Sequence, residues 1–280
     1  MRFEIVGLLR LTRPANLVIA AGAIFVGALA AGSLEPHRAV LLACVSGMLV
    51  MAGGNAINDY FDRDIDAVNK VGRPIPSGRI PAEAARRFSI ILFVLGTILS
   101  IFISKYAAAV ALCVSVGLFL YSARLKRMLL LGNIAVSLFS AAAFAYGGLA
   151  VGRVAPALIP AVFAFLFHLG REVVKDIEDR QADASYAAQT LPIRFGDRVA
   201  LTFATVVFAA LISFTFVPYL LKIYGEAYLW LVLFGVDAVV LIAVVLMWLR
   251  PTPLWLNRVS LLLKADMLVG LVAIYVGLPG

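Results

Sequence analysis

The residues best suited to chemistry in this chain are carboxylates, and they are concentrated in two short windows. Of sixteen Asp and Glu residues in 280, four lie in 59–66 and five in 172–183. The first window reads Asn58-Asp59-Tyr60-Phe61-Asp62-Arg63-Asp64-Ile65-Asp66. The second runs from Arg171-Glu172 through Lys175-Asp176-Ile177-Glu178-Asp179 to Asp183. In helical form, Asn58, Asp62 and Asp66 stand at i, i+4 and i+8 on one face, rising about 6 Å per step. Glu172, Asp176, Asp179 and Asp183 step by 4, 3 and 4 and make a second stripe. Like charges at this spacing repel one another unless a cation neutralises them. Oxygen-only donors suit Mg²⁺, which keeps water ligands and typically bridges carboxylates to a substrate's phosphates.

Partners for such phosphates follow closely in the chain. Lys70, Arg73 and Arg79 sit in a segment with two prolines and two glycines, a shaped loop of low helix propensity just beyond the first stripe. Tyr121, Arg124, Lys126 and Arg127 close a later apolar stretch, and Arg171 and Lys175 lie within the second window.

The elements that must position these groups are membrane helices. The chain is 63% hydrophobic and 14% charged, where a soluble domain carries roughly 25% charge. Apolar stretches long enough to cross a hydrocarbon core of about 30 Å recur from end to end. Lipid offers no partners for backbone groups, so each span must be a helix. The predicted spans are 14–33, 38–57, 86–104, 106–122, 128–150, 154–171, 198–218, 226–249 and 259–278. The fold class is therefore all-α, a polytopic bundle of about nine transmembrane helices forming a single domain over 1–280. The N-terminal segment lacks a cleavable signal pattern and reads as an interfacial amphipathic stretch anchored by Arg2, Arg10 and Arg13.

Lys and Arg set the orientation. With nine spans, 20 of the 24 basic residues fall on one side, leaving Arg38, Lys105, Arg153 and Lys222 on the other. The rich side is cytoplasmic. It holds the N-terminus and both acidic windows, and it leaves the C-terminus outside. The net charge of +8 is thus topological, and the basic residues do not describe a nucleic-acid surface. Cys44 and Cys113 lie inside separate spans and read as packed hydrophobes. His37 falls in an outer loop, His168 reads as a packed residue, and no histidine or cysteine presents itself as a general base. Asp237 is isolated in mid-span and is expected to make an interhelical hydrogen bond; Lys264 and Asp266 enter the last span.

At these residues the chain resembles the UbiA superfamily of intramembrane prenyltransferases. The family's first motif, NDxxDxxxD, is matched by Asn58-Asp59, Asp62 and Asp66, and continues through Asn69-Lys70, Arg73-Pro74-Ile75-Pro76-Ser77-Gly78. The second is matched by Lys175-Asp176 and Asp183, with Thr190-Leu191-Pro192 and Gly196 following. Arg13-Pro14 with Asn16, and Tyr121 with Lys126, also fit. The run from Arg171 to Asp179 is most similar to the digeranylgeranylglyceryl phosphate synthase branch, although Ala182, Ala187 and Ala188 stand where that branch often has glycine.

The resemblance implies a polar site on the cytoplasmic side over an apolar tunnel, with two Mg²⁺ ions as cofactors. Asn58, Asp62 and Asp66 would serve one ion, and Asp176, Asp179 and Asp183 the other. Catalytic roles fall to Asp62, Asp66, Asp176, Asp183 and Tyr121. Arg13, Asn16, Lys70, Arg73, Lys126, Arg171, Lys175 and Lys264 would bind substrate. The implied reaction moves a geranylgeranyl group from its diphosphate to the glycerol hydroxyl of a lipid-like acceptor, geranylgeranylglyceryl phosphate. An aromatic acceptor is the nearest alternative. A cation transporter would place acids deep in spans and on both sides. An alcohol phosphotransferase would carry a DGxxAR signature, which is absent.

Overall fold

The computed structural model describes residues 5–185 and 188–278, apart from the side chains of Asn69, Ala182 and Ser185. Arg2, Ala187, and the side chains of Asn69 and Ala182 therefore lie outside the described residues. The helices are α1 (Ile5–Thr12), α2 (Pro14–Ala30), α3 (His37–Phe61), α4 (Arg63–Asn69), α5 (Ala82–Ile101), α6 (Lys105–Ala123), α7 (Leu131–Ala150) and α8 (Val154–Glu178). They continue as α9 (Arg180–Ser185), α10 (Leu191–Phe195), α11 (Asp197–Thr215), α12 (Val217–Leu220), α13 (Glu226–Leu231), α14 (Ala238–Leu249) and α15 (Pro253–Gly277). No strand occurs among the described residues.

Eight helices or helix runs are long and apolar enough to span a membrane. Among the described residues the count reaches nine if α1 and α2, which meet at 45°, are taken as one span. Arg13 sits at the bend in a left-handed conformation, with φ 52°, and Pro14 opens α2. A first-turn proline costs no hydrogen bond and fixes the entry of the helix, so the break falls where the sequence puts it.

The chain divides into two compact units, 1–126 with 142–154, and 127–141 with 155–280. In the first, α3 is the central helix and packs against α1, α2, α5 and α6. Its core holds Ile24, Val40, Val50, Ile57, Phe93 and Tyr146. Small residues let these helices come close, and hydroxyls tie them together. Ser46 Oγ donates to the Gly96 carbonyl at 2.8 Å, and Ser89 Oγ to the Gly53 carbonyl at 2.7 Å. Near its end, α1 buries Leu11 against Ala56, Ile80 and Ala85.

In the second unit, Gly170 of α8 lies against the Phe208 ring of α11. Phe163 makes an edge contact with Phe214 and stacks near Tyr228. A π-helical turn, Val232–Asp237, joins α13 to α14, and both helices pack on α15. Residues such as Ile90, Ile91, Val94, Leu95 and Ile98 on α5 are exposed, as a lipid-facing surface requires.

Candidate active site

Each acidic stripe is built by the same local device. The helix α3 ends at Phe61 and α4 begins at Arg63, yet the backbone hydrogen bonds Asp62 N–Asn58 O and Asp66 N–Asp62 O persist at 2.9 and 2.8 Å. The helical path therefore carries through the one-residue break at Asp62. In the other unit α8 ends at Glu178 and α9 begins at Arg180, while Asp179 N–Lys175 O and Asp183 N–Asp179 O both measure 2.9 Å. The four-residue period read from the sequence holds in both places.

Acids of the first stripe are neutralised by cations from three separate segments. Asp62 pairs with Lys126 Nζ, which reaches it from the short 3₁₀ turn Leu125–Arg127. Asp66, only 3% exposed, pairs with Arg73 from the loop beyond α4. Arg73 also donates to Asp59 at 3.1 Å. Asp59 is 4% exposed and accepts a second guanidinium from Arg13, which in turn reaches Asn58 Oδ1 at 3.3 Å. Lys70, at the end of α4, is exposed; Asn16 sits in the first turn of α2, and Tyr121 in the last turn of α6. Burial of two carboxylates at this spot is thus matched by two arginines, as a low-dielectric site demands.

The second stripe is arranged on α8 and α9. Lys175 Nζ lies 2.7 Å from Asp179 Oδ2, one turn along. Arg171 pairs with Glu172 at 2.8 Å. Asp176 accepts a hydrogen bond at 2.8 Å from Asn133 Nδ2 of α7. Asp183 lies half-buried in α9, and Lys264 half-buried in α15. Glu178, off the stripe, receives Asn257 Nδ2 at 2.6 Å.

The structure thus joins Asn58, Arg13, Asp59, Arg73 and Asp66 in one network in the first unit and pairs Asp62 with Lys126. It brings Arg171, Lys175, Asp176 and Asp179 onto one helix in the second. Two contributors escaped the sequence reading. Asp59 is the residue that gathers Arg13 and Arg73, and its signal was its place within the acidic motif. Asn133, a lone amide in an otherwise apolar stretch, orients Asp176.

Among the described residues, no three His, Cys, Asp or Glu side chains converge closely enough to hold an ion by themselves. The donors still fit Mg²⁺, which is commonly held by one or two carboxylates while water and phosphate oxygens complete its shell. Every described donor is a hard oxygen. The lysines and arginines beside them suit an anionic ligand.

A model of the UbiA prenyltransferase family matches residues 17–262. The chain belongs to the UbiA prenyltransferase family. It is 43% identical to the digeranylgeranylglyceryl phosphate synthase of Methanopyrus kandleri, over 95% of this chain and 96% of that protein. A solved structure from work on digeranylgeranylglyceryl phosphate synthase in membranes is 35% identical, with a TM-score of 0.80 over 98% of each chain. A UbiA homologue from Archaeoglobus fulgidus bound to GPP and Mg²⁺ shares the fold, at 18% identity and a TM-score of 0.65 over 96% of this chain and 99% of that one. This UbiA chain is accordingly a multi-pass membrane prenyltransferase.

Proposed function

We propose that this UbiA protein transfers a geranylgeranyl group from geranylgeranyl diphosphate to the glycerol hydroxyl of geranylgeranylglyceryl phosphate. Kinship with the Methanopyrus synthase at 43% identity over nearly the whole chain supports that acceptor. The observation that carries the mechanism is the pairing of stripe acids with phosphate-type cations: Asp62 with Lys126, Asp66 with Arg73, and Asp179 with Lys175. Such pairings are what a metal–diphosphate site would use, with acids for the ions and cations for the phosphates.

Within this proposal 1–280 acts as one transferase domain, and each stripe serves the transfer from the cytoplasmic side. Asn58, Asp62 and Asp66 would hold one Mg²⁺, and Asp176, Asp179 and Asp183 would hold a second, with water and phosphate oxygens completing each shell. When bound, the ions supply Lewis-acid stabilisation of the departing diphosphate. Lys126, Arg73 and Lys175 then turn from carboxylates to phosphate oxygens, so charge stays balanced as substrate enters. Arg13 stays on Asp59 and keeps the first stripe in place. Asn133 holds one oxygen of Asp176 and leaves the other for ligand. Lys70, Arg171, Lys264 and Asn16 would bind the two substrates, and Tyr121 would steady the allylic cation or hydrogen-bond a phosphate. An apolar path for the donor tail gains about 0.8 kcal/mol per buried methylene, which places this chemistry within the bilayer.

The test is product identification by mass spectrometry after incubation with geranylgeranyl diphosphate and one of two acceptors. The expected product is the doubly alkylated glyceryl phosphate. Turnover of an aromatic acid alone would reassign the acceptor.

A further inference from the structure

With 8 residues, α1 is too short to stand by itself and owes its place to its contacts. Pro14 has no N–H to give the Arg10 carbonyl, so α1 stops at Thr12. Arg13 then turns the chain in the left-handed region, which is uncommon for a residue with a side chain. Beyond that turn the Asn16 N–H bonds to the Arg13 carbonyl at 2.9 Å, so it does not serve Thr12. A carbonyl at a helix end needs a partner from elsewhere. Asn55 of α3 supplies it: the side chain is 7% exposed and donates through Nδ2 to the Thr12 carbonyl at 2.8 Å. One turn along α3, Asp59 takes the Arg13 guanidinium. Both residues at the bend are thus held by the helix that leads into the first stripe.

The same short helix also holds a loop. Residues 70–81 form no helix, and their place depends on what they pack against. Within the loop, Ser77 N bonds to the Arg73 carbonyl at 3.0 Å and Ile80 N to the Pro74 carbonyl at 3.1 Å, which ties the segment into one piece. Its apolar anchors are Ile75 and the buried Ile80. Both share one cluster with Leu8 and the fully buried Leu11 of α1, beside Ala56 of α3 and Ala85 of α5. Arg73 leaves this loop two residues before Ile75 and reaches Asp59 and Asp66. Where the loop backbone sits decides where that guanidinium can go.

We propose that α1 is a clamp on the loop that presents Arg73, with Leu11 and Asn55 as positioning residues that act through Arg73. Asn55 fixes the end of α1, and Leu11, one residue before that end, packs with Ile80 and holds the loop. The inference rests on the role given above to Arg73 as a ligand of the donor's diphosphate. It extends that role to two side chains outside the acidic stripes, and it is independent of which acceptor is used.

The test is a double-mutant cycle on the purified enzyme. Leu11→Ala and Asn55→Ala should each raise the KM for geranylgeranyl diphosphate by roughly 10-fold while changing kcat little. In an Arg73→Ala background neither should raise it further, because the group they position is gone. Gly147→Ala disturbs the contact of α7 with α2 in the same unit and serves as the stability control; it should leave the donor KM where it was. Should Leu11→Ala not fold, Asn55→Ala carries the same cycle. A donor KM unmoved by these substitutions, effects that add in full to that of Arg73→Ala, or an equal rise in Gly147→Ala would overturn the inference alone. A donor KM unmoved by Arg73→Ala itself would refute the role proposed for Arg73, and the clamp with it.

Discussion

Asn133 on α7 donates to Oδ2 of Asp176 on α8 at 2.8 Å, joining a nearly buried amide to a carboxylate of the second stripe. The amide carries no charge, so it fixes the orientation of Asp176 without competing for a metal ion. Partners of this kind typically contribute 10- to 100-fold to metal affinity or activity. Asn133→Ala should raise the Mg²⁺ concentration needed for half-maximal transfer by about 10-fold or more. A Mg²⁺ titration of initial rates would show it, and Asn133→Asp should be worse because it adds repulsion beside Asp176.

Asp62→Ala and Asp176→Ala should each abolish prenyl transfer while leaving expression and membrane insertion intact. Both side chains sit on helices that are secured elsewhere, by α3 among its neighbours and by Gly170 against Phe208. Loss of activity with an unchanged elution profile in detergent is the expected result. Near-normal turnover by either variant would refute the assignment of that stripe to the transfer.

Arg73 joins two nearly buried carboxylates, Asp59 and Asp66. Removing it leaves Asp66 without its described partner and Asp59 with Arg13 alone. The side chain is 25% exposed, which moderates the cost to about 2 kcal/mol. Arg73→Ala should therefore lower the thermal midpoint as well as weaken diphosphate binding. Both acids are reached by one nitrogen of Arg73, so Arg73→Lys should recover part of the stability but little binding, because a compact, strongly hydrated ammonium lacks the fork that matches phosphate oxygens in pairs.

Chelation separates the fold from the chemistry. Helices in this protein are held by apolar packing and by hydroxyl-to-carbonyl bonds such as Ser46 to Gly96, none of which involves the stripes. Excess chelator should therefore eliminate transfer with no change in far-ultraviolet circular dichroism, and added Mg²⁺ should restore the rate. A rate unaffected by chelator would rule out metal-assisted departure of diphosphate.

How far the sequence displayed this arrangement depended on the distance over which each feature acts. The stripes were legible because their period is local: Asn58, Asp62 and Asp66 share a face as soon as the helix forms, and their backbone bonds show that it does. Spans were legible for the same reason, save that the first depends on α1, bent from α2 at Arg13 and Pro14. Arg73 was expected to meet phosphate, but its pairing with Asp59 and Asp66 depends on how the loop after α4 folds back, which no spacing rule encodes. The Asn133–Asp176 bond joins residues 43 apart and rests wholly on helix packing. Asp237 was rightly expected to make an interhelical bond, and Thr215 of α11 supplies it.

A close contact between helices in the first unit yields a prediction about stability alone. Gly147 of α7 lies directly against the Ile24 carbonyl of α2, and Gly27 of α2 lies against the Phe144 carbonyl of α7. A Cβ at either position would strike backbone, which cannot rotate away as a side chain can. The helices would have to separate, losing contacts along their length. Gly147→Ala should thus lower the thermal midpoint by several degrees, corresponding to about 1–3 kcal/mol of overpacking, despite the better helix propensity of alanine. Gly270→Ala on α15 is the matched control, since no atom lies within 4 Å of its Cβ position. There the propensity gain of roughly 0.5–1 kcal/mol should appear unopposed, and the midpoint should hold or rise. Equal effects from the two substitutions would show that backbone contact between α2 and α7 does not control stability.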